Sequence, residues 1–305
     1  MQIGRHDERA TFFRALVTLS EGMAAMKRRA ALRCLRTTQR LVRAALRGGD
    51  GDRAWSAIHA LRARGSAEML ALLHRLSRRA GWRHRALAMN VAAQLMRGRG
   101  SGAAFALEAT QQLLLAGLGD SHAAVLRATV AGLGHRPHPA ALPHLVRLAT
   151  HADDGVRFNV AFALGAYEEP PAAEALLMLA RDPRRDVCDW ATFALGAQHD
   201  ADTPAIRACL WQNVHDPDDD VRCEALIGLA RRGDPRLVDH LLARLADADD
   251  VWVLELEAAE KLGDPRLIPS LQALAQRTGE DLGAQNEWAR QWRATLSACG
   301  APLQV

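Results

Sequence analysis

The chain is poor in the residues that mark several protein classes. Its 305 residues include one tyrosine and six phenylalanines. The basic N-terminal region has few aromatics beyond Trp55, Trp82 and two phenylalanines, which leaves base stacking on single-stranded nucleic acid without support. The five cysteines (Cys34, Cys188, Cys209, Cys223 and Cys299) are odd in number, scattered, and form no CxxC. That excludes a disulfide framework or a thiolate zinc site and predicts small buried hydrophobes in a reducing compartment. No run of 18 apolar residues occurs, so no transmembrane helix is expected. The first residues carry charges on both sides of a weak apolar run, without a signal-peptide core or cleavage site, and a cytoplasmic location is expected. A Gly-rich phosphate loop, GxSxG, HExxH and kinase or Rossmann signatures are all missing, so neither catalysis nor a cofactor is expected.

What is present begins with charge asymmetry. Residues 1–100 hold 21 Arg or Lys against 6 Asp or Glu; residues 101–305 hold 18 against 29. Only Lys27 and Lys261 are lysines. In RRAALRCLRTTQRLVRAALR at 28–47, Arg29, Arg33, Arg36, Arg40, Arg43 and Arg47 follow one another at steps of four and three, which places them on one helical face with no acid to balance them. Leu32, Leu35, Val42 and Leu46 form an apolar stripe beside them, predicting an amphipathic helix docked along the body. The stripe could serve phosphate neutralisation, an acidic protein, a membrane surface, or the acidic half of the same chain or of a second copy, or it could simply be solvated.

Internal repeats decide the fold. VLRATVAGLG (125–134), VRFNVAFALG (156–165), VCDWATFALG (187–196) and VRCEALIGLA (221–230) are copies of one pattern, and VWVLELEAAEKLG from Val251 is a looser fifth. Val, a small or apolar residue four on, and Leu eight on make the buried stripe of a helix. Acidic turns precede the copies, where Asp can cap the exposed N–H groups. Gly134, Gly165 and Gly196 stand where a helix end takes a left-handed residue. Pro139, Pro171, Pro204, Pro235 and Pro265 can open a second helix. The unit is helix–turn–helix, five times over.

The pattern V-R-x-x-A-x-x-x-L-G, with GDPRL at 233–237 and 263–267, resembles short HEAT-like repeats of the phycobilisome-lyase type. The resemblance is specific over about 120–277, weaker over 57–97, and departs at Leu126, Cys188, Trp252 and Glu255. It implies an all-α, right-handed solenoid of stacked HEAT-like helix pairs. The expected organisation is a basic helical cap (1–50), degenerate HEAT-like helices (51–118), five short repeats (119–280) and a C-terminal capping helix (281–305) around Trp288 and Trp292. It implies recognition rather than catalysis: a scaffold or adaptor with no membrane insertion. Lyase activity would be fold-level analogy.

In such repeats the helix starting at the Val faces the concave side, and its exposed positions follow the Val closely. They select Arg157, Phe158, Asn159, Asp189, Trp190, Thr192, Arg222, Glu224 and Trp252 as protein-binding candidates. The alternative assignment puts Trp190 in the core and Arg157 and Arg222 in ion pairs between repeats. A nucleic-acid solenoid centred on the arginine stripe is the competing function; a glycosylase-like enzyme rests only on the Asp189–Trp190 pair. His135, His138, His144 and His151 lie close in sequence but lack metal-ligand spacing, and HDPDDD at 215–220 lacks the oxygens and glycine of a calcium loop, so no metal is assigned.

Overall fold

The computed structural model of the protein describes residues 32–49, 51–98, 102–247, 251–278 and 286–301. The chain divides into two compact units, Met1–Thr110 and Gln111–Val305. Among the described residues, all regular structure is helical apart from one isolated antiparallel bridge, Met96 to Ala104.

In the first unit, α1 (32–47) is followed by α2 (Asp52–Arg62), α3 (Ala67–Ser77) and α4 (Trp82–Ala92). Helix α4 packs on both α2 and α3. Arg62 is a structural residue: its Nε donates to the Asn90 carbonyl at 2.9 Å and its Nη1 to Gln94 at 3.0 Å. Along α1 the expected apolar stripe docks only at one end. Ala45 is buried and Val42 and Leu46 are partly covered, but Leu32 and Leu35 are 53% and 54% exposed. Cys34 is exposed as well, whereas the other four cysteines are buried as expected.

The division between units falls in the first turn of α5 (Leu107–Gly117). The second unit then runs α6 (Ala123–His135), α7 (Leu142–Leu148), α8 (Asp154–Leu164), α9 (Pro170–Leu179), α10 (Arg185–Phe193), α11 (Pro204–Asn213), α12 (Asp219–Arg231), α13 (Arg236–Asp247), α14 (Val253–Leu262), α15 (Ile268–Thr278) and α16 (Glu287–Ala298). Each first helix packs on the next first helix: α6 on α8, α8 on α10, α10 on α12, α12 on α14, α14 on α16. The second helices α7, α9, α11, α13 and α15 form the other layer. The unit is therefore a solenoid of stacked helix pairs.

The repeat stripe explains the stacking. Val125, Val156, Val187 and Val221 are fully buried, as are Thr129, Val160, Ala191 and Ala225 four residues on and Leu133, Leu164, Leu195 and Leu229 eight on. Burying each such Val or Leu contributes about 1.5–3 kcal/mol, but only once a neighbouring pair covers it. The fifth copy keeps the register. Val251 and Ala259 are buried, and so is Glu255, at the position otherwise given to a small or apolar residue. Arg244 donates to Glu255 at 2.7 Å, and the Trp252 N–H donates to it at 2.8 Å.

Three repeat glycines differ from expectation. Gly134, Gly165 and Gly196 do not adopt left-handed backbone. Gly134 and Gly196 lie where the following first helix or its end comes too close for a side chain; at Gly165 the obstacle is the tip of the Gln198 side chain. A Cβ on Gly134 would strike the Phe162 ring, one on Gly165 would strike Gln198, and one on Gly196 would meet the Glu224 carbonyl at 2.9 Å and the Gly228 Cα at 3.2 Å. Within the repeats, left-handed glycines are instead Gly233 (φ +56°) and Gly263 (φ +59°), each opening a GDPRL turn. In those turns Asp234 and Asp264 accept the N–H and the guanidinium of Arg236 and Arg266.

The acidic turns cap helices as the sequence predicts. Asp153 accepts the Val156 N–H at 3.0 Å and Asp218 accepts the Val221 N–H at 3.3 Å. Histidines do similar work: the Nδ1 atoms of His122, His138 and His151 accept the N–H groups of Ala124, Ala140 and Asp153. At the far end, α16 packs on α14, and the indole N–H groups of Trp288 and Trp292 donate to the carbonyls of Val251 and Leu271, each at 2.9 Å.

Candidate protein-binding face

The first-helix layer brings aromatic rings from three successive repeats together. Trp190 on α10 meets Phe158 and Phe162 on α8 and Phe193 on its own helix, edge to face, with centroids 5.9, 5.4 and 5.6 Å apart. Phe162 in turn meets His135 at the end of α6, at 5.2 Å. Edge-to-face packing suits the ring quadrupoles and holds the rings as one rigid surface. Phe158, Phe162, Trp190 and Phe193 are all partly exposed, so the ladder is neither core nor freely solvated.

The same layer carries carboxylates without partners on the helix of Trp190 and on the next first helix. Asp189 on α10 and Glu224 on α12 are partly buried, and neither makes a hydrogen bond or ion pair among the described residues. Burial, then the charges of Asp220 and Asp218, push the Asp189 carboxyl up to about 6. Burial, then Asp189, Glu257 and Asp220, push Glu224 up to about 7. Groups of like charge on α10, α12 and α14 therefore sense one another across the stack. Glu257 is met by Lys261 at 3.2 Å.

Five of the nine candidate positions stand apart from this cluster. Arg157 donates to Asp182 at 2.6 and 2.9 Å and to the His151 carbonyl at 2.9 Å, so it ties its repeat to the next turn. Arg222 is engaged by Asp219 and the Asp216 carbonyl. Asn159 donates back to the Gly155 carbonyl at 2.6 Å. Thr192 is fully buried: it donates to the Cys188 carbonyl and accepts from Asn213, each at 2.8 Å. It faces the second-helix layer and cannot line a groove, which corrects its placement by offset from the Val. Trp252 is 43% exposed, but it caps the start of α14 rather than riding on the helix. Phe158 and Trp190 remain in the ring ladder, and Asp189, which directly precedes Trp190, and Glu224 remain in a like-charged set. Phe162 and Phe193 join the ladder and Glu257 the like-charged set; none of the three was among the candidates. The signal for the two rings was available, since Phe162 follows Phe158 by four residues and Phe193 follows Trp190 by three.

Of the basic stripe, Arg33, Arg36, Arg40, Arg43 and Arg47 are exposed and make no ion pair among the described residues; Arg29 lies outside them. Among the described residues no group of three metal-ligating side chains comes together, and no helix is long and apolar enough to cross a membrane.

Stacked helix pairs with this stripe define an α-solenoid class, and the family within it is clear. The HEAT-repeat family profile matches residues 111–196 and 190–263, and the chain belongs to that family. Protein YibA of Escherichia coli K12 is 35% identical over 119 residues, 39% of this chain. That match spans about two-fifths of YibA's length (42%). The X-ray structure of E. coli YibA superposes with a TM-score of 0.66 at 23% identity, covering 85% of this chain and 91% of that one. The karyopherin Kap121p, solved with the extreme C-terminus of the phosphatase Cdc14p, reaches 0.50 at 14% identity, covering 86% of this chain and 33% of its own. At these identities the two structures share the fold alone. The family match is to HEAT repeats at large, not to the phycobilisome-lyase subtype.

Proposed function

We propose that the protein is a non-catalytic scaffold or adaptor that binds another protein through the first-helix face around Trp190, with Phe158, Asp189 and Glu224 as its central contacts. The observation that carries this reading is the pairing of a partly exposed aromatic ladder with two partly buried carboxylates that have no partner. Leaving such groups unsatisfied lowers the stability of the isolated chain, and a bound protein would relieve it. Aromatic anchors held rigid by neighbours are the usual energetic centre of an interface. Arg157, Asn159, Arg222 and Trp252 would lie at its margin, and the concave side of the solenoid is the natural location for such a face. The short-repeat, lyase-type likeness describes the sequence pattern and brings no activity with it.

A second reading has its own observation. The five exposed, unpaired arginines of α1 suit phosphate, and a nucleic acid held there would be released steeply by salt. One experiment separates the two. The tagged chain is captured from its own cells with and without nuclease, beside the Phe158→Ala/Trp190→Ala variant, and bound material is identified by mass spectrometry. A stoichiometric protein that survives nuclease and is lost with the double variant is expected. Recovery that nuclease abolishes, or that the double variant leaves unchanged, would overturn the assignment of this face.

A further inference from the structure

The chemistry of the Trp190 face also selects its occupant, given the reading above that the face binds protein. We propose that the occupant is a cationic segment of a partner protein, its arginine or lysine side chains seated against Asp189 and Glu224 while its apolar residues cover Phe158, Phe162, Trp190 and Phe193.

Charge complementarity is the argument. The cations nearest the patch in sequence are already committed: Arg157 to Asp182, Arg185 to Asp216, and Arg222 to Asp219. No cation is among the groups that perturb Asp189 or Glu224. The sign continues across Asp220 on α12, while Glu257 on α14 is already met by Lys261. An acidic occupant would add repulsion to carboxyls that already repel one another. A neutral apolar occupant would deepen their burial with no partner, at a desolvation cost its own contacts must exceed. A guanidinium or ammonium removes both penalties. The same cation is favoured by the aromatic rings alongside, because a tryptophan face attracts a positive charge within about 6 Å. The ladder and the carboxylates thus ask for one ligand chemistry from two directions.

The test uses the full chain and three synthetic peptides of about twelve residues. All three carry leucine at alternate positions; the intervening residues are arginine, glutamine or glutamate. Affinities are measured by fluorescence anisotropy for the natural chain, for Asp189→Asn/Glu224→Gln and for Trp190→Ala. The arginine peptide is expected to bind at least about tenfold tighter than the glutamine peptide, and the glutamate peptide weakest. In Asp189→Asn/Glu224→Gln the arginine advantage should disappear while folding is retained, because that variant removes buried charge. In Trp190→Ala both the arginine and the glutamine peptides should weaken. Equal binding of the arginine and glutamine peptides, both lost in Trp190→Ala, would overturn the cationic partner and leave the binding face standing. Absence of any Trp190-dependent binding would overturn both. Self-association in sedimentation, abolished by Arg36→Glu/Arg40→Glu, would replace the partner with a second copy's arginine stripe and overturn the proposal in that way.

Discussion

Asp182 and Asp189 lie seven residues apart and are treated in opposite ways. Asp182 sits in the turn before α10. Burial pushes its carboxyl up, but the Arg157 hydrogen bonds, the Arg184 amide and the nearby guanidinium charges outweigh that and hold it low. Asp234, in a later turn, is drawn down to about 2, first by Arg236 and then by the Arg236 amide and Arg207, against the cost of burial. Asp189, on the first-helix face, receives none of this. Nor does Glu224 on the next repeat. Asp182 and Asp234 are each answered by a guanidinium and a backbone N–H, whereas Asp189 and Glu224 are left to one another. That contrast is what supports Asp189 and Glu224 as part of the proposed binding face.

The comparison can be broken most severely by separating the helices that carry it. The π-helical turn Ala194–Gln198 that follows α10 approaches α12 across Gly196 and Gly228, where no side chain can give way. Gly196→Val is expected to cost about 3 kcal/mol and to lower the melting temperature by several degrees, read by thermal and urea unfolding.

Next comes the paired side of the contrast. Arg157→Met leaves Asp182 largely buried without its cation, and a loss of ~2 kcal/mol near neutral pH is expected in urea titrations. Because Asp182 is held below the ordinary carboxylate range when folded, its contribution is present above that range. It is lost as pH falls through the folded value, so the gap between variant and natural chain should narrow in acid.

The unpaired side should respond with the opposite sign. Glu224 takes up its proton more readily folded than unfolded, at about 7 against an ordinary 4.5. The stability tied to that proton is complete below the unfolded value and is lost as pH rises through the folded one. Asp189 on α10, Glu257 on α14, and Asp220 on α12 itself are the charged groups acting on it. Glu224→Gln is therefore expected to be more stable than the natural chain by ~1 kcal/mol at mildly alkaline pH, with the screening of a partly exposed group allowed for, and no different in acid. Equal stability at all pH values would remove the argument that this carboxylate is costly.

The smallest effect sharpens the contrast with a third kind of charge. Arg36→Glu/Arg40→Glu alters exposed groups of α1 that make no ion pair, and unfolding should shift by less than about 0.5 kcal/mol.

Most of the fold was legible from one stripe. Val125, Val156, Val187 and Val221, with the residues four and eight on, are the buried line the spacing predicts, and the prolines and acidic turns open helices where expected. The glycines were not legible in the same way. A glycine after a leucine near a helix end satisfies a C-cap pattern and a close-packing pattern equally well; only the neighbouring repeat decides, and at Gly134, Gly165 and Gly196 it decides for packing. The candidate face was legible in part. Counting from the Val names Phe158, Asp189, Trp190 and Glu224, the residues proposed as its central contacts, but the same counting includes Thr192, which turns into the second-helix layer. The alternative assignment placed Arg157 in an ion pair between repeats, and Asp182 is that partner, but nothing in the spacing named Asp182 or left Asp189 unclaimed. Ion pairing across repeats depends on how far one helix pair is rotated on the next, and no residue spacing within a single repeat encodes that.

The central claim is the split between turn carboxylates and face carboxylates. Side-chain carboxyl NMR titration of the selectively labelled full chain, with Asp182, Asp234, Asp189 and Glu224 assigned by substitution, tests it directly. The account predicts that Asp182 and Asp234 titrate below the ordinary carboxylate range and that Asp189 and Glu224 titrate above it, near about 6 and about 7. All four titrating together within the ordinary range would contradict it.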